Sequence, residues 1–226
     1  MATSPIAAIF DLDGTLYSGH IARAYGAHHR KMRTKRLQLL LYMAAHIPVW
    51  WMVRAGLITQ LTMRRIWAQN MGWMVSGWRP EEAQKAFAWI AENYVRPLVK
   101  KDVLARAQAH RDKGHRTILV SGTSTPLLET IGRELGIAEA VGTPLVLRRG
   151  RYSGASVRPV CQGPGKVTRL LSHLGPESGI DWGQSHAYAD SILDLPMLER
   201  VGNSVAVYPD DQLRRHAHAC GWEIFE

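Results

Sequence analysis

Cysteine is scarce in this sequence of 226 residues, in which Cys161 and Cys220 are the only two. So low a density excludes the small secreted proteins that depend on several disulfides, and it favours two reduced thiols in the cytoplasm. The amino-terminal residues also lack the basic segment and the small-residue cleavage site of a secretory signal. We therefore expect a protein that stays inside the cell.

Acidic residues are absent from a long stretch near the amino terminus. Residues 20–80 contain ten Lys and Arg and no Asp or Glu, whereas the rest of the chain holds 18 basic and 19 acidic residues. The net charge of +9 therefore resides in this acid-free segment. Its basic residues accompany apolar runs rather than a nucleic-acid recognition motif, so we expect no nucleic-acid partner.

The longest apolar run covers residues 37–53 and lies inside the acid-free segment. Gln38, His46 and Pro48 interrupt it, which argues against a transmembrane span. Five of the eight Trp lie between residues 50 and 78, close to several Arg. Two interpretations stay open. Either this segment makes peripheral contact with a membrane whose anionic lipids attract the basic residues, or its helices pack on each other and on the mouth of the catalytic domain, with Pro48 dividing one long helix into two.

Strand and helix patterns alternate along most of the chain. An apolar strand at residues 5–10 runs into Asp-Leu-Asp-Gly, and a helix-rich stretch with few Gly and Pro follows. Further strands are expected at residues 116–121, 185–190, 204–208 and near Trp222, with a hairpin at residues 144–152 and helices in between. Strands separated by helices require right-handed crossovers. The pattern therefore predicts an α/β fold with a doubly wound, mainly parallel, Rossmann-like sheet.

The helix-rich stretch divides the predicted domains. Residues 1–18 and 97–226 are expected to form the Rossmann-like core, and residues 19–96 an all-helical insertion. Ligands of such sheets bind beyond the carboxyl ends of the strands, so polar residues at those ends are candidates for a site. Four motifs supply them: Asp11-Leu-Asp13-Gly-Thr, Ser121-Gly122-Thr, Gly163-Pro-Gly-Lys166 and Asp190-Ser-Ile-Leu-Asp194.

These four motifs, in this order, resemble those of the haloacid dehalogenase superfamily, and the insertion between the first two resembles its phosphoserine-phosphatase-like branch. The resemblance implies a Mg²⁺-dependent phosphomonoesterase that forms an aspartyl-phosphate, with residues 19–96 as a helical cap. It assigns Asp11 as the nucleophile and Asp13 as the general acid and base. By the same resemblance, phosphate would be bound by Ser121, Gly122 and Lys166, and Mg²⁺ by Asp11, the main-chain oxygen of Asp13, Asp190 and Asp194.

Elementary chemistry explains why such residues occur together. A phosphate monoester dianion repels an anionic nucleophile, so attack by a carboxylate requires a cation that neutralises charge and aligns the phosphoryl group. Mg²⁺ prefers oxygen ligands in octahedral geometry, which suits several carboxylates. Taken singly, each residue also has an ordinary structural explanation: Ser121 or Asp194 could cap a helix, and Lys166 could be a solvated residue at a helix start. Their occurrence together favours one shared site.

The acid-free segment also bears on the substrate. True phosphoserine phosphatases place an acidic residue soon after the nucleophile motif, where it pairs with the substrate ammonium group, whereas this chain has no acid between Asp13 and Glu81. Phosphoserine and histidinol phosphate are therefore disfavoured, and we expect a small-molecule phosphomonoester without a cationic group. The alternatives are a phosphatase acting on a lipid phosphate at a membrane surface, a non-catalytic phosphate-binding module, and phosphotransfer to an acceptor other than water.

Overall fold

A computed structural model describes residues 4–226 as alternating strands and helices; residues 1–3 of the predicted core lie outside this range. The strands are β1 (Ala7–Phe10), β2 (Arg116–Ser124), β3 (Glu139–Thr143), β4 (Leu145–Arg148), β5 (Arg151–Ser156), β6 (His186–Ala189), β7 (Asn203–Val207) and β8 (Glu223–Phe225). The helices are α1 (Ile21–Lys31), α2 (Arg36–Arg54), α3 (Gln60–Asn70), α4 (Pro80–Ile90), α5 (Lys101–Asp112), α6 (Thr125–Leu135), α7 (Pro164–Leu174), α8 (Leu195–Leu198) and α9 (Asp211–Cys220). Short 3₁₀ or π turns occur at residues 71–75, 91–95, 96–98 and 192–194.

Six strands form one sheet in the order β3-β2-β1-β6-β7-β8, and every neighbouring pair is parallel. The strand order reverses at the centre, because β2 and β3 follow β1 on one side whereas β6, β7 and β8 lie on the other. The predicted doubly wound, mainly parallel α/β fold is confirmed. β4 and β5 pair in a separate antiparallel hairpin, as expected for residues 144–152.

Both faces of the sheet are covered by apolar side chains. Along β1, Ala8 and Phe10 belong to one buried cluster, and Ala7 and Ile9 to the other. Successive side chains of a strand point to opposite faces, so a central strand that is buried on both sides has a continuous apolar sequence. The residue that follows this strand, Asp11, is therefore held at the middle of the sheet edge, between β2 and β6.

The helices α1 to α5 occupy the chain between β1 and β2, and the first four of them lie in the predicted insertion. Within them, α2 runs without interruption from Arg36 to Arg54, so the prediction that Pro48 divides a long helix into two is wrong. Proline removes the hydrogen bond to the carbonyl four residues earlier. That carbonyl belongs to Ala44, and because both residues are exposed, water can replace the missing donor. Within residues 4–226, no helix has the length and apolar character needed to cross a membrane.

The hairpin contacts the helical insertion. The N–H of Gly77 donates to the carbonyl oxygen of Tyr152 at 2.7 Å, and the N–H of Tyr152 donates to that of Trp78 at 2.9 Å. A Cβ atom at Gly72 would lie 2.8 Å from the main-chain oxygen of Gly154, so the two backbones approach closely. The predicted domain boundary, which assigns the hairpin to the core, remains a prediction.

Candidate active site

The loop after β1 brings Asp11 and Thr15 to the carboxyl edge of the sheet. Gly14 turns this loop with φ at +87°, and a side chain there would overlap the Asp190 carboxylate, so the position requires glycine. The Thr15 hydroxyl lies 3.2 Å from Oδ2 of Asp11 and 3.1 Å from Oδ1 of Asp190, and it can donate to either. Thr15 thereby connects the residues that follow β1 and β6.

Three of the predicted metal ligands converge. Carboxylate oxygens of Asp11, Asp190 and Asp194 lie within 4.8 Å of one another. Burial, followed by the charges of the other two carboxylates, raises the pKa of Asp190 to about 7. Burial also raises the pKa of Asp194 to about 6, although the nearby Lys166 opposes the shift. A divalent cation would relieve this repulsion, and carboxylate oxygens are the ligands that Mg²⁺ prefers, so the three residues fit a Mg²⁺ site.

Lys166 lies between two of these carboxylates. Its Nζ is 2.5 Å from Oδ1 of Asp11 and 2.7 Å from Oδ1 of Asp194. Gly163, with φ at +54°, precedes α7 and places Lys166 in the first turn of that helix. Burial by itself would lower the pKa of Lys166, but the two carboxylates outweigh it and raise that pKa above its usual value. The lysine is therefore charged although its side chain is only 2% exposed.

Asp13 lies in the same cavity but makes its own contacts. Its Oδ1 accepts hydrogen bonds from the Tyr17 hydroxyl at 2.7 Å and from the N–H of Ile21 at 3.2 Å. Burial raises the pKa of Asp13 to about 6; the bond from Tyr17 opposes this shift and the charge of Asp11 adds to it. A carboxyl group with a pKa near neutrality can both donate and accept a proton at working pH.

Ser121 lies inside a strand rather than at its end. β2 continues to Ser124 beyond a shift in its pairing with β3, so the predicted end at residue 121 is wrong. The Ser121 hydroxyl donates to Oγ1 of Thr123 at 3.2 Å and accepts from the N–H of Thr123 at 3.2 Å. Ser121, Gly122 and Thr123 all line the cavity, which the regular alternation of a strand would not allow. The irregular pairing therefore turns this part of β2 towards the site.

The site opens into a cavity of about 860 Å³. Its inner end is lined by Asp11, Asp13, Ser121, Gly122, Lys166 and Asp194. Residues of α1, α2 and α3 complete the lining, including the exposed Arg23 and Arg30. Arg64 of α3 also lines the cavity, and its charge lowers the pKa values of Asp13, Asp190 and Asp194, against the effect of burial. All of the predicted site residues therefore share this cavity except Asp190, which adjoins it through the carboxylate cluster.

Several residues of the site were not predicted. Thr15 is the last residue of the first motif, so the sequence held a signal for it. Lys100 donates from Nζ to the carbonyl oxygen of Gly14, and this Nζ lies 4.1 Å from the centre of the Tyr208 ring. Arg64 comes from the acid-free segment. No local pattern marks Lys100 or Arg64, because only the fold brings Lys100 to the loop after β1 and Arg64 to the cavity.

The fold and the site together define an α/β protein with an acidic, lysine-containing centre at the carboxyl edge of a parallel sheet. The chain belongs to the haloacid dehalogenase-like hydrolase family, whose profile matches residues 8–199. The resemblance inferred from the four motifs is thereby confirmed.

Comparisons with individual proteins agree with this family. The chain is 32% identical over 151 residues to a probable phosphatase of Mycobacterium tuberculosis, a match that covers 67% of this chain and 52% of that protein. It is 30% identical over 233 aligned positions to a phosphoserine phosphatase of the same organism, covering 96% and 70%. Its fold is similar to that of a Bordetella pertussis protein with unknown function, with a TM-score of 0.83, 24% identity and coverage of 99% of both chains. The chain spans about half the length of the first curated relatives it matches.

Proposed function

We propose that this protein is a Mg²⁺-dependent phosphomonoesterase that hydrolyses a small-molecule phosphate monoester through an aspartyl-phosphate on Asp11. The observation that carries this proposal is the environment of Asp11. Its carboxylate lies 2.5 Å from the Lys166 ammonium group, adjoins Asp190 and Asp194, and faces the cavity. With a cation and a lysine beside it, such a carboxylate can approach a phosphate dianion without prohibitive repulsion.

The proposed Mg²⁺ ligands are the side chains of Asp11 and Asp190 and the main-chain oxygen of Asp13, with Asp194 binding directly or through water. When bound, the ion supplies charge neutralisation and alignment of the phosphoryl group. The oxygen donors of the three clustered carboxylates support this assignment.

In the first half-reaction an oxygen of Asp11 attacks phosphorus, and the bond between phosphorus and the ester oxygen breaks. The ester oxygen leaves with a proton from Asp13, whose pKa of about 6 permits a protonated fraction near neutral pH. Lys166, the Ser121 hydroxyl and the N–H of Gly122 hold the other phosphate oxygens, where negative charge is concentrated.

In the second half-reaction the ionised Asp13 accepts a proton from water, and the water oxygen attacks phosphorus. The bond between phosphorus and Asp11 breaks, which releases inorganic phosphate and regenerates the free carboxylate. Tyr17 and the N–H of Ile21 orient Asp13 through their hydrogen bonds, so one carboxyl group serves both steps.

Charge narrows the substrate class. Arg23, Arg30 and Arg64 line the cavity, and residues 14–80 contain no acid that would pair with a substrate ammonium group. An amino-acid phosphate would therefore bring a cation towards arginines. The phosphoserine in the name of one relative describes that relative. For this chain we propose an ester that carries no cationic group.

Asp11→Asn tests the proposal with p-nitrophenyl phosphate as substrate. Loss of the nucleophile is expected to lower kcat at least about 10³-fold. Asp211→Asn, which changes an exposed acid in the first turn of α9, is the matched control and is expected to keep the wild-type kcat. A wild-type protein without Mg²⁺-dependent hydrolysis would refute the proposal in favour of a non-catalytic phosphate-binding module.

Asp13→Asn tests the covalent intermediate. p-Nitrophenolate leaves readily without a proton donor, so the first half-reaction continues in this variant while activation of water is lost. The phosphorylated enzyme is therefore expected to accumulate, and mass spectrometry of the intact protein would detect it, with the modification on Asp11. A variant that turns over slowly with no phosphorylated protein would contradict the covalent route. Analysis of the wild-type products in the presence of added alcohols separates hydrolysis from phosphotransfer.

A further inference from the structure

We propose that the ester is amphiphilic, that its apolar tail lies in the outer cavity, and that it enters from an anionic lipid surface on which α2 rests. This inference rests on the proposed phosphatase function and specifies its substrate class. Three observations carry it: the lining of the cavity, the exposed surface of α2, and the stripe of residues that these two share.

The cavity is much larger than a phosphate group requires. A volume of about 860 Å³ falls among pockets that enclose whole drug-sized ligands. Beyond the carboxylates, apolar side chains line much of its wall: Leu39, Met63, Trp67, Met71 and Met74. Arg23 and Arg30 also line it but are exposed, so their charged ends can stay in contact with water or lipid headgroups. Methionine side chains adapt to irregular apolar ligands because they are flexible and polarisable. A small polar alcohol would leave this wall in contact with water, whereas an apolar tail would cover it.

α2 exposes apolar surface along most of its length. Two of its 19 residues, Tyr42 and His46, are buried, and all 19 lie in the described part of the chain. Its large exposed apolar side chains include Leu37, Leu40 and Trp51, at 65%, 66% and 60% exposure. A contiguous apolar surface of this kind marks a site of interaction with a partner or a membrane.

Basic residues around α2 indicate what binds to its exposed apolar surface. Lys31, Arg33 and Arg36 precede or begin α2, Arg54 ends it, and all four are exposed. Because residues 14–80 contain no acid, no carboxylate of the insertion's first three helices compensates this charge. Basic residues beside Trp and Leu bind anionic lipid surfaces through both apolar contact and charge. A second copy of the chain would bring like charges together, so a lipid surface is the better match.

The cavity and the exposed surface of α2 meet along one stripe. Met43, Ile47 and Trp50 line the cavity and are also 51%, 51% and 40% exposed. Residues four and three positions apart share one face of a helix, so these side chains form a continuous apolar path. A tail that begins in lipid can follow this path into the cavity without entering water, while the phosphate reaches Asp11.

Straight-chain alkyl phosphates from butyl to decyl test whether the cavity binds an apolar tail. Each is assayed below its critical micelle concentration. The value of kcat/KM is expected to rise up to about fourfold for each buried methylene group until the cavity is full. Ala27→Leu adds bulk to the cavity wall on α1, and it is expected to lower the ratio of decyl to butyl kcat/KM at least about tenfold. Ala109→Leu, on an exposed position of α5, is the control and is expected to keep the wild-type ratio.

Co-sedimentation with vesicles tests the surface. The protein is expected to bind vesicles that contain phosphatidylglycerol more tightly than vesicles of pure phosphatidylcholine, and salt is expected to weaken this binding. Leu40→Ser with Trp51→Ser removes exposed apolar side chains outside the cavity lining, and it is expected to weaken binding at least about tenfold. Leu147→Ser with Leu171→Ser, exposed in the hairpin and on α7, is the matched control.

The outcomes distinguish the proposed substrate class from the proposed reaction. Equal kcat/KM for all alkyl phosphates would refute the proposal that the cavity binds an apolar tail, but it would not contradict the phosphatase function. Absence of binding to anionic vesicles would overturn the lipid surface, and a dimer that the Leu40→Ser and Trp51→Ser changes dissociate would identify a second copy as the occupant. Absence of Mg²⁺-dependent hydrolysis for every phosphomonoester would instead overturn the proposed function itself.

Discussion

At the scale of single residues, Thr15 joins two carboxylates that come from different strands. Its hydroxyl lies 3.2 Å from Asp11 and 3.1 Å from Asp190, and the side chain is fully buried. Hydrogen bonds to charged groups contribute about 1.5–3 kcal/mol, more than those between neutral groups. The hydroxyl carries one proton and donates to one carboxylate at a time. We infer that its donation to Asp11 orients this carboxylate towards phosphorus.

Thr15→Val keeps the shape of the side chain and removes the hydroxyl. We expect kcat/KM for p-nitrophenyl phosphate to fall by roughly ten- to a hundredfold, because Asp11 loses the donor that orients it. Thr15→Ser retains the hydroxyl and is expected to recover most of the activity. Steady-state kinetics at saturating Mg²⁺ make the comparison. A valine variant as active as the serine variant would show that the hydroxyl has no positioning role.

At the scale of elements, α5 packs on the sheet through a cluster of histidines. Nε2 of His110 lies 2.7 Å from the Tyr188 hydroxyl, and its Nδ1 lies 2.8 Å from Nδ1 of His115. The same ring packs edge-on against Phe10, with 6.2 Å between centroids. Burial, followed by repulsion from His186 and His115, lowers the pKa of His110 to about 4. The neutral ring is therefore the form that fits between α5 and the sheet.

This histidine makes stability depend on pH. In the unfolded chain its pKa is about 6.5, whereas in the folded chain it is about 4, so the unfolded state binds more protons in this interval. The free energy of unfolding is expected to fall as pH falls through the interval, by up to about 1.4 kcal/mol per pH unit from this residue. Urea denaturation of His110→Gln is expected to show a shallower dependence. His218→Gln, at an exposed position of α9, is the control and is expected to keep the wild-type dependence of unfolding free energy on pH. If His110→Gln also kept this dependence, His110 would not be its source.

At the scale of the whole molecule, the candidate site draws on distant parts of the chain. Asp11 follows β1, Lys166 lies in α7, and Asp190 and Asp194 follow β6. Burial, followed by repulsion from Asp11 and Asp194, raises the pKa of Asp190 to about 7 in the folded state. The unfolded chain separates these residues, so a cation that binds the cluster binds the folded state alone and stabilises the entire fold.

Thermal unfolding with and without Mg²⁺ measures this coupling. At a concentration one hundred times its dissociation constant, Mg²⁺ is expected to stabilise the wild type by about 2.7 kcal/mol and to raise its Tm. Asp190→Asn is expected to lose this response. Without Mg²⁺, and above neutral pH, it is expected to unfold at a higher temperature than the wild type, because one repelling charge is gone. Asp211→Asn is the control, and Mg²⁺ is expected to raise its Tm as much as that of the wild type. An equal rise in the Tm of Asp190→Asn would exclude Asp190 as a ligand.

Much of the fold was predictable because its signals are local. Apolar strands such as residues 5–10 and the helices between strands predict a parallel sheet, and the carboxyl edge of a parallel sheet collects the residues that follow each strand. The structure brings Asp11 and Asp194 together as this rule predicts, and the first turn of α7 adds Lys166, while the roles of all three remain proposals. Local signals did not predict the end of β2, which depends on its pairing with β3 and lies at Ser124. They also did not predict that α2 continues through Pro48, which depends on exposure of the helix to water.

The sequence by itself determined the family, because the four motifs keep their residue types and their order along the chain. Only the tertiary structure decided which apolar residues of the acid-free segment are covered. Met71 is buried, whereas Leu40 and Trp51 are exposed, although all three lie in apolar stretches of sequence. Burial depends on contacts with elements far along the chain, so periodicity does not determine it. The substrate tail inferred above therefore comes from the shape of the cavity and the exposure of α2.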